Sequence, residues 1–114
     1  MKSKIVMLCA VFVLVYGGVI AAGIDEKKGP EQITLDGGQR GVVGFPHRQH
    51  QTTLGDCNIC HHLFPQKLGV IKELKKQGKL AKKRVMNHCR GCHRKLLKQG
   101  LKAGPTSCRK CHSK

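Results

Sequence analysis

The chain has 114 residues and is strongly basic, with 22 Lys and Arg against 6 Asp and Glu and a formal net charge of +16. It contains no Trp, one Tyr and three Phe, so the aromatic side chains that stack on nucleic-acid bases are scarce and nucleic-acid binding is disfavoured. A chain this small and this poor in large apolar side chains does not build an ample core alone, so its fold needs another source of stability.

Residues 1–22 have the features of a secretory signal peptide. Two lysines near the start precede an apolar stretch over residues 5–16, and small residues typical of a cleavage site follow it. The stretch is shorter than the roughly 20 apolar residues that cross a membrane, so stable membrane insertion is not expected. We predict an exported chain that starts near Gly23, with a retained anchor as the alternative.

The mature chain is predicted to form one small domain over residues 33–114, preceded by a mobile polar segment over residues 23–32. The domain begins with two short apolar stretches, 33–35 and 42–45, on either side of an Asp-Gly-Gly turn sequence at 36–38. This pattern predicts a small β-hairpin.

The motif Cys-x-x-Cys-His occurs three times after the hairpin, and it is the attachment site of a c-type haem. Its two thiols lie one helical turn apart and can form thioethers with one porphyrin, while the histidine meets the iron. The predicted attachment residues are Cys57, Cys60, Cys89, Cys92, Cys108 and Cys111, with His61, His93 and His112 as iron ligands. Three copies predict three haem c groups, which would also supply the missing apolar bulk.

Zinc binding and disulfide formation are the alternative uses of such cysteines. A single copy of the motif would leave the choice open. Three identical copies use every cysteine outside the leader and favour haem. Export supports the same interpretation, because bacteria attach haem outside the cytoplasm, and it predicts a periplasmic location.

Four histidines remain outside the motifs, and three irons need three sixth ligands: the candidates are His47, His50, His62 and His88. The first two are three residues apart, which places them on one helical face. An iron held by two histidines has no open position, so it moves electrons rather than binding small molecules. An iron without a sixth ligand would instead indicate a haem-based reductase.

Apolar residues with helical spacing predict an amphipathic helix over residues 65–85, interrupted near Gly78. A second, short helix is predicted over residues 94–99. We expect Leu68 and Ile71 of the first helix to pack on a haem edge.

Lys and Arg are concentrated in residues 67–102, close to the second motif. After removal of the leader and ionisation of six haem propionates, the net charge would be about +8. This charge predicts steering towards a partner with an acidic surface. The alternative is that it serves solubility and balances the propionates.

Three segments of the chain resemble the class III multihaem cytochromes, a family that includes tetrahaem cytochromes c-three and trihaem cytochromes c-seven. They are the Phe-Pro-His-x-x-His sequence at 45–50, the first motif, and the ending Gly-Pro-Thr-Ser-Cys-x-x-Cys-His at 104–112. The resemblance implies a small, mainly α and irregular fold with a short N-terminal β-hairpin and closely packed haems as its core.

The resemblance also implies three ligand pairs, which are His47 with His61, His50 with His93, and His88 with His112. His62 is left over and is either a remnant of a lost fourth haem or a substitute for His88. The implied protein is a monomeric periplasmic electron carrier of anaerobic respiration rather than an enzyme. Implied partners are a hydrogenase, a formate dehydrogenase or membrane-bound cytochrome complexes.

Overall fold

The computed structural model describes residues 29–114. The predicted signal peptide, its cleavage near Gly23 and residues 23–28 lie outside the described residues. Within the described part, two strands are followed by five helices joined by turns.

The N-terminal hairpin pairs β1 (Ile33–Asp36) with β2 (Val42–Phe45) in antiparallel register, with Ile33 opposite Phe45. Alternate residues of each strand are partly buried, as expected for a hairpin with one face turned inward. A 3-10 turn at Gly38–Arg40 joins the strands, and the Asp36 carboxylate accepts a hydrogen bond from the Gly38 amide at 2.8 Å. The predicted hairpin is confirmed.

The helices carry the haem motifs and the segments between them. Their bounds are α1 His47–Leu54, α2 Asn58–His61, α3 Val70–Lys76, α4 Arg84–Lys98 and α5 Cys108–Cys111. The described residues contain no helix that is long and apolar enough to cross a membrane.

Helix α4 is much longer than the short helix predicted at residues 94–99. It begins ten residues earlier, includes the whole second motif, and ends before Gly100, which has a φ of 73°. The prediction started the helix too late because it counted the second motif only as an attachment site. Its cysteines continue the helical spacing between Val85 and Leu96. A helix through the motif places Cys89, Cys92 and His93 on one side, as shared attachment requires.

Helix α3 is correspondingly shorter than the helix predicted over residues 65–85. It starts after Gly69 (φ 73°) and stops before Gly78 (φ 68°), where the predicted interruption occurs. Leu68 precedes the helix and is 70% exposed, whereas Ile71 is partly buried, and the packing of both on a haem edge stays a prediction.

Residues 29–31, within the segment predicted to be mobile, contact α1. Their three carbonyls accept hydrogen bonds from His47 and Arg48 at 3.0–3.3 Å. The start of the described chain therefore helps to fix the first helix.

The C-terminus returns to the hairpin. Ser113 and Val42 exchange two backbone hydrogen bonds of 2.9 Å and form an antiparallel bridge. The third motif is thus tied to β2, although 71 residues separate the two partners in the chain.

The apolar core of the polypeptide is very small. Among the described residues only Val70 and Leu80 are buried, at 6% and 7% exposure. Two buried side chains cannot stabilise a domain of more than 80 residues, so the protein depends on further buried groups.

Candidate haem-binding sites

Each Cys-x-x-Cys-His motif lies on or beside a helix that turns its two sulfurs to the same side. In the first motif Cys57 precedes α2, and in the third motif His112 follows α5. No disulfide joins any of the six motif cysteines, and each is at least partly exposed. Among residues 29–114, no group of three or more His, Cys, Asp or Glu side chains is arranged to hold a metal ion by itself.

The structure brings together two of the implied histidine pairs. The ring centroids of His47 and His61 are 6.4 Å apart, with the rings nearly perpendicular at 83°. The centroids of His50 and His93 are 6.2 Å apart, with the rings inclined at 32°. Each pair joins a ring from α1 to a ring from a motif.

These separations fit an iron atom between the two rings of each pair. With metal–nitrogen bonds of about 2.0 Å and a ring centroid about 1.1 Å beyond each nitrogen, two imidazoles on opposite sides of one ion lie about 6 Å apart. The observed distances of 6.4 Å and 6.2 Å match this separation. The residues of both pairs therefore fit a haem iron held by two histidines.

Backbone carbonyls orient six of the seven histidines through the Nδ1 atom. The acceptors are the carbonyls of Pro30 for His47, Pro46 for His50, Phe64 for His61, Asn58 for His62, Pro105 for His93 and Gly41 for His112, at 2.8–3.5 Å. A carbonyl only accepts, so Nδ1 carries the proton in each ring and Nε2 has its lone pair available for a metal. Metal-binding histidines are commonly oriented in this way.

The third site is arranged differently. The Nε2 atom of His88 is buried and has no hydrogen-bond partner, which suits a nitrogen that binds iron. However, the His88 ring packs against His62 at a centroid distance of 5.2 Å, and no ring contact joins it to His112 among the described residues. The implied pairing of His88 with His112 therefore stays a prediction, and His62 remains the substitute.

An open cleft of about 530 Å³ lies beside the third motif. Its walls include Cys108 and His112 together with the basic side chains of Arg40, Arg109 and Lys114. A cationic cleft next to an attachment cysteine suits a porphyrin with two ionised propionates.

The thiols of different motifs are close enough to influence one another. Burial raises the pKa of the Cys60 thiol, and the thiols of Cys92 and Cys57 raise it further. Burial also raises the pKa of Cys89, with Cys60 as the next cause and Cys111 as a smaller one. Because these influences cross from one motif to the next, the attachment sites are neighbours in the fold.

Two phenylalanines belong to the sites, although the sequence analysis assigned them no role there. The Phe45 ring lies 4.4 Å from the His50 ring and 5.9 Å from the His47 ring, and the Phe64 ring lies 5.3 Å from the His61 ring. Their closeness in sequence to the histidines was the available signal. They are the only aromatic residues after the leader, and both contact candidate iron ligands.

Comparison with known proteins agrees with this arrangement. Residues 23–112 match the class III cytochrome c family. The chain is 36% identical over 76 residues to cytochrome c7 of Geobacter metallireducens, covering 67% of this chain and 69% of that protein. It is 27% identical over 106 residues to the 26 kDa cytochrome c3 of Desulfomicrobium norvegicum, covering 73% and 94%.

Solved structures give the same result at the level of the fold. The trihaem cytochrome PpcA of Geobacter sulfurreducens superposes with a TM-score of 0.53 at 31% identity, over 75% of this chain and 100% of that one. PpcE, a cytochrome c7 of the same organism, superposes with a TM-score of 0.50 at 29% identity, over 73% and 97%. The match covers the hairpin and all three motifs, so the chain belongs to the class III cytochrome c family of multihaem electron-transfer proteins.

Proposed function

We propose that this protein carries single electrons through three covalently attached haems in the periplasm, as part of an anaerobic respiratory chain. The observation that carries the proposal is the spacing of the two histidine pairs, 6.4 Å and 6.2 Å between ring centroids. The trihaem count is supported by the three motifs and by the likeness to trihaem PpcA. The export leader supports the periplasmic location.

The chain holds the haems through two kinds of bond. Thioethers would form at Cys57 and Cys60, at Cys89 and Cys92, and at Cys108 and Cys111. The bound irons would supply a one-electron change between Fe(II) and Fe(III). Two imidazoles would bind each iron. In every proposed ligand except His88, a carbonyl that accepts from Nδ1 keeps the ring in one orientation.

For the third iron we propose His88 as the partner of His112. The buried, unpartnered Nε2 of His88 supports this choice. In contrast, the His62 side chain is exposed. The His62 and His88 rings lie 5.2 Å apart, so variants at the two positions can be compared directly.

The partner is proposed to be a redox protein with an acidic docking surface, such as a hydrogenase, a formate dehydrogenase or a membrane-bound cytochrome complex. No Asp or Glu follows Glu73, whereas 14 Lys and Arg do. Leu97 and Leu101 are 49% and 53% exposed on the same part of the chain, which carries Lys98 and Lys102. A small apolar surface surrounded by basic side chains suits a transient complex between this protein, as a monomer, and its redox partner.

Carbon monoxide binding to the reduced protein tests the electron-carrier proposal against its main alternative. If all three irons have two histidine ligands, carbon monoxide should leave the reduced visible spectrum unchanged. If one iron is open, a carbonyl-bound spectrum should replace about one third of the signal. That result would favour a haem-based reductase, and the third site would be the place to look for the open iron.

A further inference from the structure

The dipeptide Gly-Pro occurs twice in the described chain, and both copies contact a candidate iron ligand. The Pro30 carbonyl accepts a hydrogen bond from His47 Nδ1 at 3.0 Å. The Pro105 carbonyl accepts one from His93 Nδ1 at 2.8 Å. The two copies are far apart in sequence and serve rings from different elements, α1 and α4.

The glycine of each copy lies against the same ring whose Nδ1 the proline carbonyl holds. A Cβ atom on Gly104 would come within 2.5–3.0 Å of Cε1, Nε2 and Nδ1 of His93. A Cβ atom on Gly29 would lie 3.3 Å from Cε1 and 3.6 Å from Nδ1 of His47. A Cβ on Gly104 would therefore overlap the edge of the His93 imidazole, whereas a Cβ on Gly29 would be in tight contact with the His47 imidazole.

The proline and the glycine of each copy both restrict the position of the histidine ring. Proline fixes its own φ, which limits the directions in which its carbonyl can point. Glycine leaves the space in which the ring edge sits. A hydrogen bond from Nδ1 to a carbonyl makes the other nitrogen a stronger electron donor to its metal.

We propose that Gly29-Pro30 and Gly104-Pro105 are positioning residues that set the orientation and donor strength of His47 and His93, respectively. We call each dipeptide an imidazole seat. The inference rests on the proposed function, in which His47 belongs to the first haem and His93 to the second. Each seat therefore acts on a different haem, and disturbing one seat should alter one haem only.

The test compares Gly104→Ala with Gly44→Ala in the haem-loaded protein. Gly44 lies in β2, outside the haem motifs, and a Cβ there would meet no atom within 4 Å. Individual haem midpoint potentials and the paramagnetically shifted ring signals of the axial histidines are followed by NMR during redox titration. Gly104→Ala should move the His93 ring off the Pro105 carbonyl, weaken its donation to Fe(III), and raise the second haem's potential. Gly44→Ala should leave all three potentials unchanged.

A second comparison examines the other seat. Gly29 has a φ of 84°, so alanine there is strained whatever the space around it, and the control must carry the same strain. Gly38 has a φ of 64° with no atom within 4 Å of an added Cβ. Gly29→Ala should raise the potential of the first haem and shift the His47 ring signals, whereas Gly38→Ala should change neither.

Equal effects of a seat variant and its control, or a shift spread over all three haems, would overturn the proposal. If Gly104→Ala does not load haem, the Gly29→Ala comparison decides the question alone. Failure of the proposed function looks different, because the wild-type protein would then contain fewer than three haems or an iron that is not low-spin.

Discussion

Each histidine of this protein has one ring nitrogen whose surroundings define its role. In six rings Nδ1 donates to a backbone carbonyl, and in the seventh, His88, the Nε2 atom is buried without a partner. A buried nitrogen without a hydrogen bond costs about 1–3 kcal/mol unless something binds it. Iron ligation removes that cost, and this is the physical reason for preferring His88 over the exposed His62.

Replacing any one of the proposed sixth ligands with alanine should create a single high-spin haem. We expect this for His47→Ala, His50→Ala and His88→Ala, because each leaves one iron with one histidine. Low-temperature EPR of the oxidised protein and the high-spin charge-transfer band measure the fraction of high-spin haem, which should be one third.

His62→Ala is the matched control for the third site, since its ring lies 5.2 Å from that of His88. It should leave all three haems low-spin. A high-spin signal on losing His62, with none on losing His88, would reverse the assignment of the third ligand.

At the scale of the elements, the hairpin and the C-terminal residues form one unit around His112. Val42 and Ser113 exchange two hydrogen bonds of 2.9 Å, and the His112 Nδ1 atom lies 3.5 Å from the Gly41 carbonyl. A Cβ on Gly37 would clash with the His112 ring, so the turn of the hairpin also fits closely around it. The short sheet thereby fixes the third motif as well as leading into α1.

Deleting Ser113 and Lys114 should loosen this unit. Two lost backbone hydrogen bonds are worth about 1–2 kcal/mol together, so the Val42 amide should exchange with deuterium about tenfold faster or more. Hydrogen exchange followed by NMR gives the measurement. Deleting Lys114 alone retains Ser113 and should have little effect, and equal exchange rates in the two truncations would contradict a stabilising bridge.

The sequence predicted those elements whose residues mark them directly. Apolar pairs around Asp36, Gly37 and Gly38 predicted the hairpin, and the motif spacing predicted which cysteines share a helical side. It misplaced the start of α4, because the cysteines of the second motif were counted as attachment residues and not as apolar positions of a helix. It did not predict the carbonyls that hold Nδ1, because a backbone acceptor is independent of residue type, nor the contact of His62 with His88, which depends on tertiary packing.

The whole molecule combines a minimal core with an unbalanced charge. Two buried apolar residues, Val70 and Leu80, are all the core that the described residues provide. The two ion pairs among these residues, Lys67–Glu73 and Lys72–Asp36, are exposed and span 3.2 Å and 4.0 Å, so they contribute little stability. Most of the basic charge is thus available to a partner or to the haem propionates.

Electron exchange with an acidic partner should slow steeply as salt is added, because exposed charges more than about 10 Å apart are largely screened at 0.1 M salt. Lys95→Glu and Lys110→Glu, close to the second and third motifs, should lower the association rate without changing the haem spectrum. Stopped-flow mixing with the partner over a salt series measures this rate.

Lys27→Glu is the control for these variants, since Lys27 is remote in sequence from the motifs, and it should matter little. A rate that does not depend on salt would mean that the charge serves solubility or propionate balance, and the steering hypothesis should be abandoned.

The central claim is that three covalent haems, each with two histidine ligands, complete this small protein. Intact-mass measurement of the purified holoprotein, together with pyridine-haemochrome quantitation, tests it most directly. The expected result is a chain starting near Gly23 that carries three haem groups. A mass corresponding to two haems, or to a colourless chain with bound zinc, would contradict it.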